Sequence, residues 1–267
     1  MIGRLLPWTI GTAAWNMAVD EAILTAYING AAPLTIRFYG WDPPALSLGC
    51  FQNPLTERQL ALCQRKKIDW VKRPTGGRAV FHADEITYSL ITGERNDFFG
   101  PVLADYLRIG MGLKKGFELL GLPVQMSEKN RQQKVSHSQI CFASQSWYEI
   151  TCHGRKLVGS AQLRRERSLL QHGSILVTFD AKLLLELTEE GERPKSPLLA
   201  DRLQQRVIGL KEALGYYPDK FRVISVLLKG LEEKLGIEWK EMPLTPDEVK
   251  LAKRLECEKY SRSSSLV

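Results

Sequence analysis

Trp70-Val71-Lys72-Arg73-Pro74-Thr75-Gly76-Gly77-Arg78-Ala79-Val80-Phe81-His82 joins a strand-like segment to a glycine pair flanked by arginines. Adjacent glycines allow positive φ and carry no Cβ, so the backbone there can approach a ligand closely. Their amides can face a phosphate or a developing oxyanion, with Arg73 and Arg78 supplying charge. Taken alone, the simpler reading is a hairpin turn between two half-buried strands.

The flanking sequence supplies such strands. Leu34-Thr35-Ile36-Arg37-Phe38-Tyr39 alternates as a half-buried strand, and residues 45–48, 69–72, 79–81 and 85–91 continue a sheet, with glycine and proline between them. Further on, residues 147–152, 156–163 and 169–177 alternate as three more strands, joined by a His153-Gly154 turn and a basic turn over 164–167. Apolar Trp15, Ala18, Val19, Ala22, Ile23, Ala26 and Tyr27 recur at helical spacing and predict an amphipathic helix over 13–29, with Asp20 and Glu21 on its other face. Pro101 and Gly121 bracket a second helix expected to pack on the sheet. After residue 180 the pattern is helical, and Thr245-Pro246-Asp247-Glu248 is a capping box opening the last helix. Residues 127–140 hold almost nothing that can be buried and read as a mobile loop leading into Cys141; the tail from 261 reads as frayed. Strands followed by helices predict an α+β fold, a mixed or mainly antiparallel sheet flanked by helices. One catalytic domain is expected over 1–267, with the core in 1–180 and a helical region in 181–267.

Composition narrows the function classes. At 44% hydrophobic and 25% charged, the chain is globular and long enough to bury a substantial core. No apolar run reaches membrane-spanning length and the first residues are too short and interrupted for a signal peptide, so a cytoplasmic protein without a membrane partner is expected. The cysteines, Cys50, Cys63, Cys141, Cys152 and Cys257, are odd in number and contain no CxxC pair, which argues for reduced thiols. His137 with Cys141, and Cys152 with His153, lack a second pair, so no metal is expected. The net charge of +7 favours encounter with acidic partners. No nucleic-acid-binding module is recognisable, so nucleic acid is not an expected partner.

Three further blocks change the reading of the glycine turn. They are Trp15-Asn16-Met17-Ala18-Val19-Asp20-Glu21, the run from Cys141-Phe142-Ala143 through Gly154-Arg155-Lys156-Leu157-Val158-Gly159-Ser160-Ala161-Gln162, and Leu170-Gln171-His172-Gly173-Ser174. With the Arg73 segment, their order and spacing resemble the lipoate-protein ligase and octanoyltransferase superfamily from about residue 1 to residue 180. The resemblance implies a biotin/lipoate protein ligase-like catalytic domain. Within the superfamily the chain looks most like the cysteine-dependent octanoyltransferases, because the ATP-dependent ligases do not require a cysteine at position 141.

That resemblance implies Cys141 as nucleophile and Lys156 as the cation that lowers its pKa, since an ordinary thiol titrating near ~8.5 is only slightly ionised at neutral pH. It implies Arg73, Gly76, Gly77, Arg78, Ala79, His82, Gly159, Ser160 and Ala161 as substrate-binding residues, and no cofactor. The donor would be octanoyl-acyl carrier protein. The acceptor would be a lysine of a lipoyl domain, such as glycine cleavage H protein or the E2 subunit of a 2-oxoacid dehydrogenase. By residue type alone, Lys156 would be a solvated strand residue, His172 a hydrogen-bonded structural histidine and Asp20 a helix-surface charge. Two other readings remain beside transfer: an ATP-dependent lipoate ligase using an adenylate, and a non-catalytic binder of acidic domains or nucleic acid resting on charge alone.

Overall fold

The computed structural model describes residues 1–127, 149–188 and 197–261. β1 (Ile2–Gly11) leads through α1 (Ala13–Ile28) to β2 (Thr35–Trp41). β3 (Ala45–Leu48), α2 (Glu57–Arg65), β4 (Asp69–Lys72) and β5 (Val80–His82) follow, and these three strands form a small sheet in the order β4-β3-β5. β6 (Glu85–Gly93), α3 (Val102–Leu119), β7 (Val124–Met126), β8 (Ile150–Cys152), β9 (Arg155–Arg165) and β10 (Ser168–Leu176) return to the large sheet. The chain then forms α4 (Ala181–Leu187), α5 (Pro197–Arg206), α6 (Leu210–Leu214), α7 (Lys220–Leu235), β11 (Glu238–Glu241) and α8 (Pro246–Leu255). Eight strands make the large sheet, in the order β11-β1-β2-β6-β10-β9-β8-β7. It is mixed: β1 runs parallel to β2 and β11, and the other neighbours are antiparallel. The expected α+β architecture is what the chain adopts.

Alternation explains how one sheet serves two purposes. On one face Ile36 and Phe38 of β2, Ile86, Tyr88 and Leu90 of β6, and Leu169 and Ile175 of β10 join Ile109, Leu113 and Phe117 of α3 and Leu227 and Leu231 of α7 in a single core. The two helices approach closely because glycines meet at their crossing. A Cβ on Gly230 would sit 2.2 Å from the Gly116 nitrogen, and one on Gly116 would sit 2.6 Å from the Leu227 Cα. The other face of the sheet carries Tyr39, Trp41, Ile91 and Leu170 against α1.

α1 departs from the sequence reading. Its expected polar face is covered, Asp20 being 0% and Glu21 7% exposed. Glu21 is covered by the C-terminal segment, where Lys259 Nζ (2.7 Å) and Tyr260 Oη (2.5 Å) donate to its Oε2, whereas Asp20 meets Arg37 and Tyr39 of β2 and His172 of β10. The capping box at Thr245 and Glu248 forms as expected. Glu248 also accepts a buried bidentate pair from Arg4 of β1, at 2.8 and 2.6 Å.

The strands of the small sheet, and β6, β9 and β10, lie within two residues of their expected bounds. Both hairpin turns form, with positive φ at His153 and Gly154 and at Glu166 and Arg167. Patterning did not reveal β1, whose alternation is broken by Pro7; the register with β2 shifts between Leu6 and Thr9, where the missing N–H is tolerated. Nor did it reveal α2, β7 or β11. The expected loop at 127–140 lies, beyond Ser127, outside the described residues, as does the tail from 262.

Candidate active site

The turn between β4 and β5 closes one side of a cleft of about 530 Å³. Met17 of α1, Tyr39 and Trp41 of β2, Thr87 of β6, Gly159, Ser160 and Ala161 of β9, and His172, Gly173 and Ser174 of β10 line it. Ser47, Arg73, Gly77, Val80 and His82 complete the wall from the small sheet and its turn. Gly77 adopts φ +97°, and a Cβ on Gly49 would fall 2.0 Å from the Gly77 carbonyl oxygen, so the residue after β3 and the glycine turn meet backbone to backbone. Neither Gly76 nor Gly77 directs its N–H to an acceptor among the described residues.

Arg73 organises this wall. Its Nε donates to Thr75 Oγ1 (3.1 Å), its Nη1 to the Ser47 carbonyl and hydroxyl (both 3.1 Å), and its Nη2 to the carbonyls of Gly76 (2.9 Å) and Arg78 (2.8 Å). The guanidinium therefore fixes the shape of the glycine turn from within. Arg78 contributes its carbonyl to this arrangement, and Ala79 is buried in the core beneath the small sheet.

Two hydroxyl–imidazole–carboxylate chains lead away from Arg73. In one, Thr75 Oγ1 is 2.7 Å from His172 Nε2, and His172 Nδ1 is 3.2 Å from Asp20 Oδ2. In the other, Ser47 Oγ is 2.7 Å from His82 Nε2, and His82 Nδ1 is 2.7 Å from Glu85 Oε1. Asp20 also accepts from Arg37 Nη1 on Oδ1 and from Tyr39 Oη on Oδ2, each at 3.1 Å. Burial holds the His172 pKa below the ordinary imidazole value, although Asp20 opposes this, so the ring is neutral at neutral pH. The Tyr39 hydroxyl stays protonated because burial, then the Asp20 charge, push its pKa well up. Trp41 stacks on His82 with centroids 4.0 Å apart and donates its indole N–H to Thr87 Oγ1 at 2.7 Å.

Of the residues anticipated from sequence, the cleft brings together Arg73, Gly77, His82, Gly159, Ser160 and Ala161. Lys156 lies three residues before Gly159 on β9 and is not among the residues lining this cleft. It is not a solvated edge-strand lysine: β9 is interior, Lys156 is 5% exposed, and its Nζ donates to buried Glu149 Oε1 at 2.5 Å. Cys141 lies outside the described residues. Ser47, Tyr39 and Trp41 line the cleft without having been anticipated, and Thr75 and Glu85 bond to its lining residues from behind. The retrospective signals are Asn16 and Asp20 one turn apart on α1, Arg37 alternating with Tyr39, and His82 followed three residues later by Glu85.

Two of the other cysteines, Cys63 and Cys152, are buried and poor nucleophiles. Burial, with the Asp69 charge, pushes the Cys63 thiol up to about 11, and burial raises Cys152. Among the described residues no group of three or more metal-ligating side chains is placed to hold an ion. No helix among them is long and apolar enough to cross a membrane. The basic turn is neutralised locally, since Arg164 pairs with Asp105 (2.6 Å), Arg165 with Glu21 (3.6 Å) and Arg167 with Glu94. That local pairing weakens a binding reading based on charge alone.

Residues 12–232 match the lipoyl protein ligase A/B catalytic domain. The chain belongs to that family. The octanoyltransferase LipM of Kyrpidia tusciae is 39% identical over 261 residues, covering 94% of both chains. That of Brevibacillus brevis is 39% identical over 255 residues, covering 93% of this chain and 92% of its own. Similarity of this extent within the lipoyl ligase family makes the protein an acyltransferase. Among solved structures, a bi-partite lipoate protein ligase from Thermoplasma acidophilum shares the fold with a TM-score of 0.82 at 24% identity, covering 100% of this chain and 98% of that one. A second T. acidophilum structure, a protein described as a lipoate protein ligase and solved with bound lipoic acid, has a TM-score of 0.77 at 25% identity over 98% and 97% of the two chains.

Proposed function

We propose that the protein transfers an octanoyl group from octanoyl-acyl carrier protein to a lysine of a lipoyl domain, through a thioester on Cys141, in lipoate biosynthesis. The observation that carries this reading is the similarity to octanoyltransferases over nearly the whole chain, in a sequence that holds Cys141 and Lys156 fifteen residues apart. We take residues 1–267 as one catalytic domain. In the first half-reaction the Cys141 thiolate adds to the donor carbonyl, the bond to the carrier sulfur breaks, and the carrier thiol leaves. In the second, the acceptor lysine amine adds to the Cys141 thioester, the bond to Cys141 breaks, and an amide remains. The Lys156 ammonium stabilises the Cys141 thiolate and gives its proton to the departing carrier sulfur; as the neutral amine it then takes the proton lost by the acceptor lysine, which restores the ammonium beside the regenerated thiolate.

The cleft supports the same reading. The amide of Gly77, which lines the cleft, and that of its neighbour Gly76, both in the turn held by Arg73 and uncommitted among the described residues, are suited to the oxyanion of each tetrahedral intermediate. Its apolar lining, with Met17, Tyr39, Trp41 and Val80, suits an acyl tail. Burying that tail contributes up to ~5 kcal/mol, at about 0.8 kcal/mol per methylene. Both half-reactions begin from an activated acyl group, so neither consumes ATP.

Incubation with octanoyl-acyl carrier protein is expected to give a hydroxylamine-labile octanoyl adduct that Cys141→Ala lacks. An adduct that survives in the variant removes Cys141 as nucleophile. In the same preparation, the pH dependence of Cys141 alkylation should move to higher pH in Lys156→Ala, and an unmoved profile would exclude Lys156 as the activating cation. The ligase reading instead requires pyrophosphate exchange from ATP that depends on lipoate or octanoate.

A further inference from the structure

The chain from Arg73 to Asp20 works only in one direction. Arg73 Nε has a proton to give and no acceptor, so Thr75 Oγ1 must accept from it. The Thr75 hydroxyl proton is then available to His172 Nε2, which accepts it only if His172 carries its own proton on Nδ1. Asp20 Oδ2 is the group that accepts that Nδ1 proton. Asp20, Thr75 and His172 are all buried, so water does not supply a substitute partner at low cost.

We propose that Asp20 is a positioning residue for the acyl-transfer site: it fixes the tautomer of His172, which orients Thr75, which holds Arg73 in the pose that shapes the Gly76-Gly77 turn. The inference rests on the acyl-transfer reading only for its kinetic readout. The second chain, through Ser47, His82 and Glu85, repeats the construction on the other side of Arg73, with one instructive difference. Both oxygens of Asp20 are engaged, whereas Glu85 takes His82, Thr87 and Ser174 on Oε1 and its Oε2 is buried without a partner among the described residues.

That difference yields a discriminating experiment with two isosteric substitutions, each of which removes one buried negative charge. In Asp20→Asn the introduced asparagine must keep its oxygen toward Arg37, which cannot accept, so its amide N–H faces Tyr39 and His172. His172 then accepts at Nδ1 and carries its proton on Nε2, and Thr75 can no longer donate to it. In Glu85→Gln the glutamine oxygen can stay at the Oε1 position, where three donors converge, and the His82 tautomer is retained.

The tautomers are read from long-range proton–nitrogen correlations of the imidazoles, and the kinetics from steady-state octanoyl transfer. The expected result is an Nδ1–H tautomer for His172 in the wild type and an Nε2–H tautomer in Asp20→Asn. That variant is expected to lose about 10- to 100-fold in kcat with little change in KM, the scale seen when a group behind a functional side chain is removed. Glu85→Gln should keep its tautomer and lose much less. The proposal is overturned if wild-type His172 carries its proton on Nε2, if the tautomer changes without loss of kcat, or if the two variants lose kcat equally. The wild-type spectrum decides the first point even if Asp20→Asn does not fold. Absence of octanoyl transfer by the wild type would instead defeat the functional reading, with the tautomer comparison still standing.

Discussion

The two faces of the large sheet are built from the same strands and spend their burial differently. Leu169 and Ile175 of β10 enter the core beneath α3 and α7, whereas His172 and Ser174 on the opposite face join buried hydroxyls, imidazoles and carboxylates around the cleft. The first face is held by close packing and tolerates no added atom at the Gly116 and Gly230 crossing. The second is held by hydrogen bonds whose direction matters as much as their presence. Structure and chemistry are thus set a single residue step apart along a strand, and the two meet at Tyr88, a core residue whose hydroxyl is 2.8 Å from Ser160 Oγ of the cleft.

The largest expected effect on stability lies on the apolar face. Phe117→Ala removes a fully buried ring and should cost about 3–5 kcal/mol, measured as a shift of the urea midpoint at unchanged m. Transfer activity per folded molecule should be unchanged; a fall beyond the loss of folded protein would mean that the faces are not separable.

Gly77→Ala reverses the pattern. The substitution asks a residue with a Cβ to adopt φ +97° and places that atom 2.8 Å from Arg73 Nη2. Backbone strain of about 1–2 kcal/mol is expected in stability. The loss of kcat should exceed what the lost folded population explains, because the displaced groups are those that shape the turn. Equal proportional losses would make the turn merely structural.

The smallest effect is a shallow acid dependence from the polar face. Folded His172 binds a proton less readily than the unfolded imidazole, so the unfolded state takes up more protons as pH falls. Its contribution is therefore complete above the unfolded imidazole's pKa and is lost as pH falls toward and through the lower folded value. Denaturation measured across that range should be less pH-dependent in His172→Gln, and an unchanged slope would show that other groups carry it.

The sequence already contained much of this. The glycine pair and its arginines, the alternation of β6 and β10 and the Thr245 capping box are local patterns, legible because each depends on residues near one another in the chain. The roles proposed for Cys141 and Lys156 rest on motif context alone. Edge strands such as β11, only four residues long, carry too little pattern to be read that way.

Burial of polar groups was decided elsewhere. Asp20 and Glu21 look like a solvated helix face until the C-terminal segment covers Glu21 and β2 and β10 bring Arg37, Tyr39 and His172 to Asp20. Lys156 reads as an exposed strand residue until neighbouring strands enclose β9 and Glu149 meets its ammonium. The sequence by itself determined which side chains alternate, which turns admit positive φ and which residue types are present. Only the tertiary structure decided which charges leave water and which partners they find, because desolvation depends on every element packed around a group and not on its neighbours in the chain.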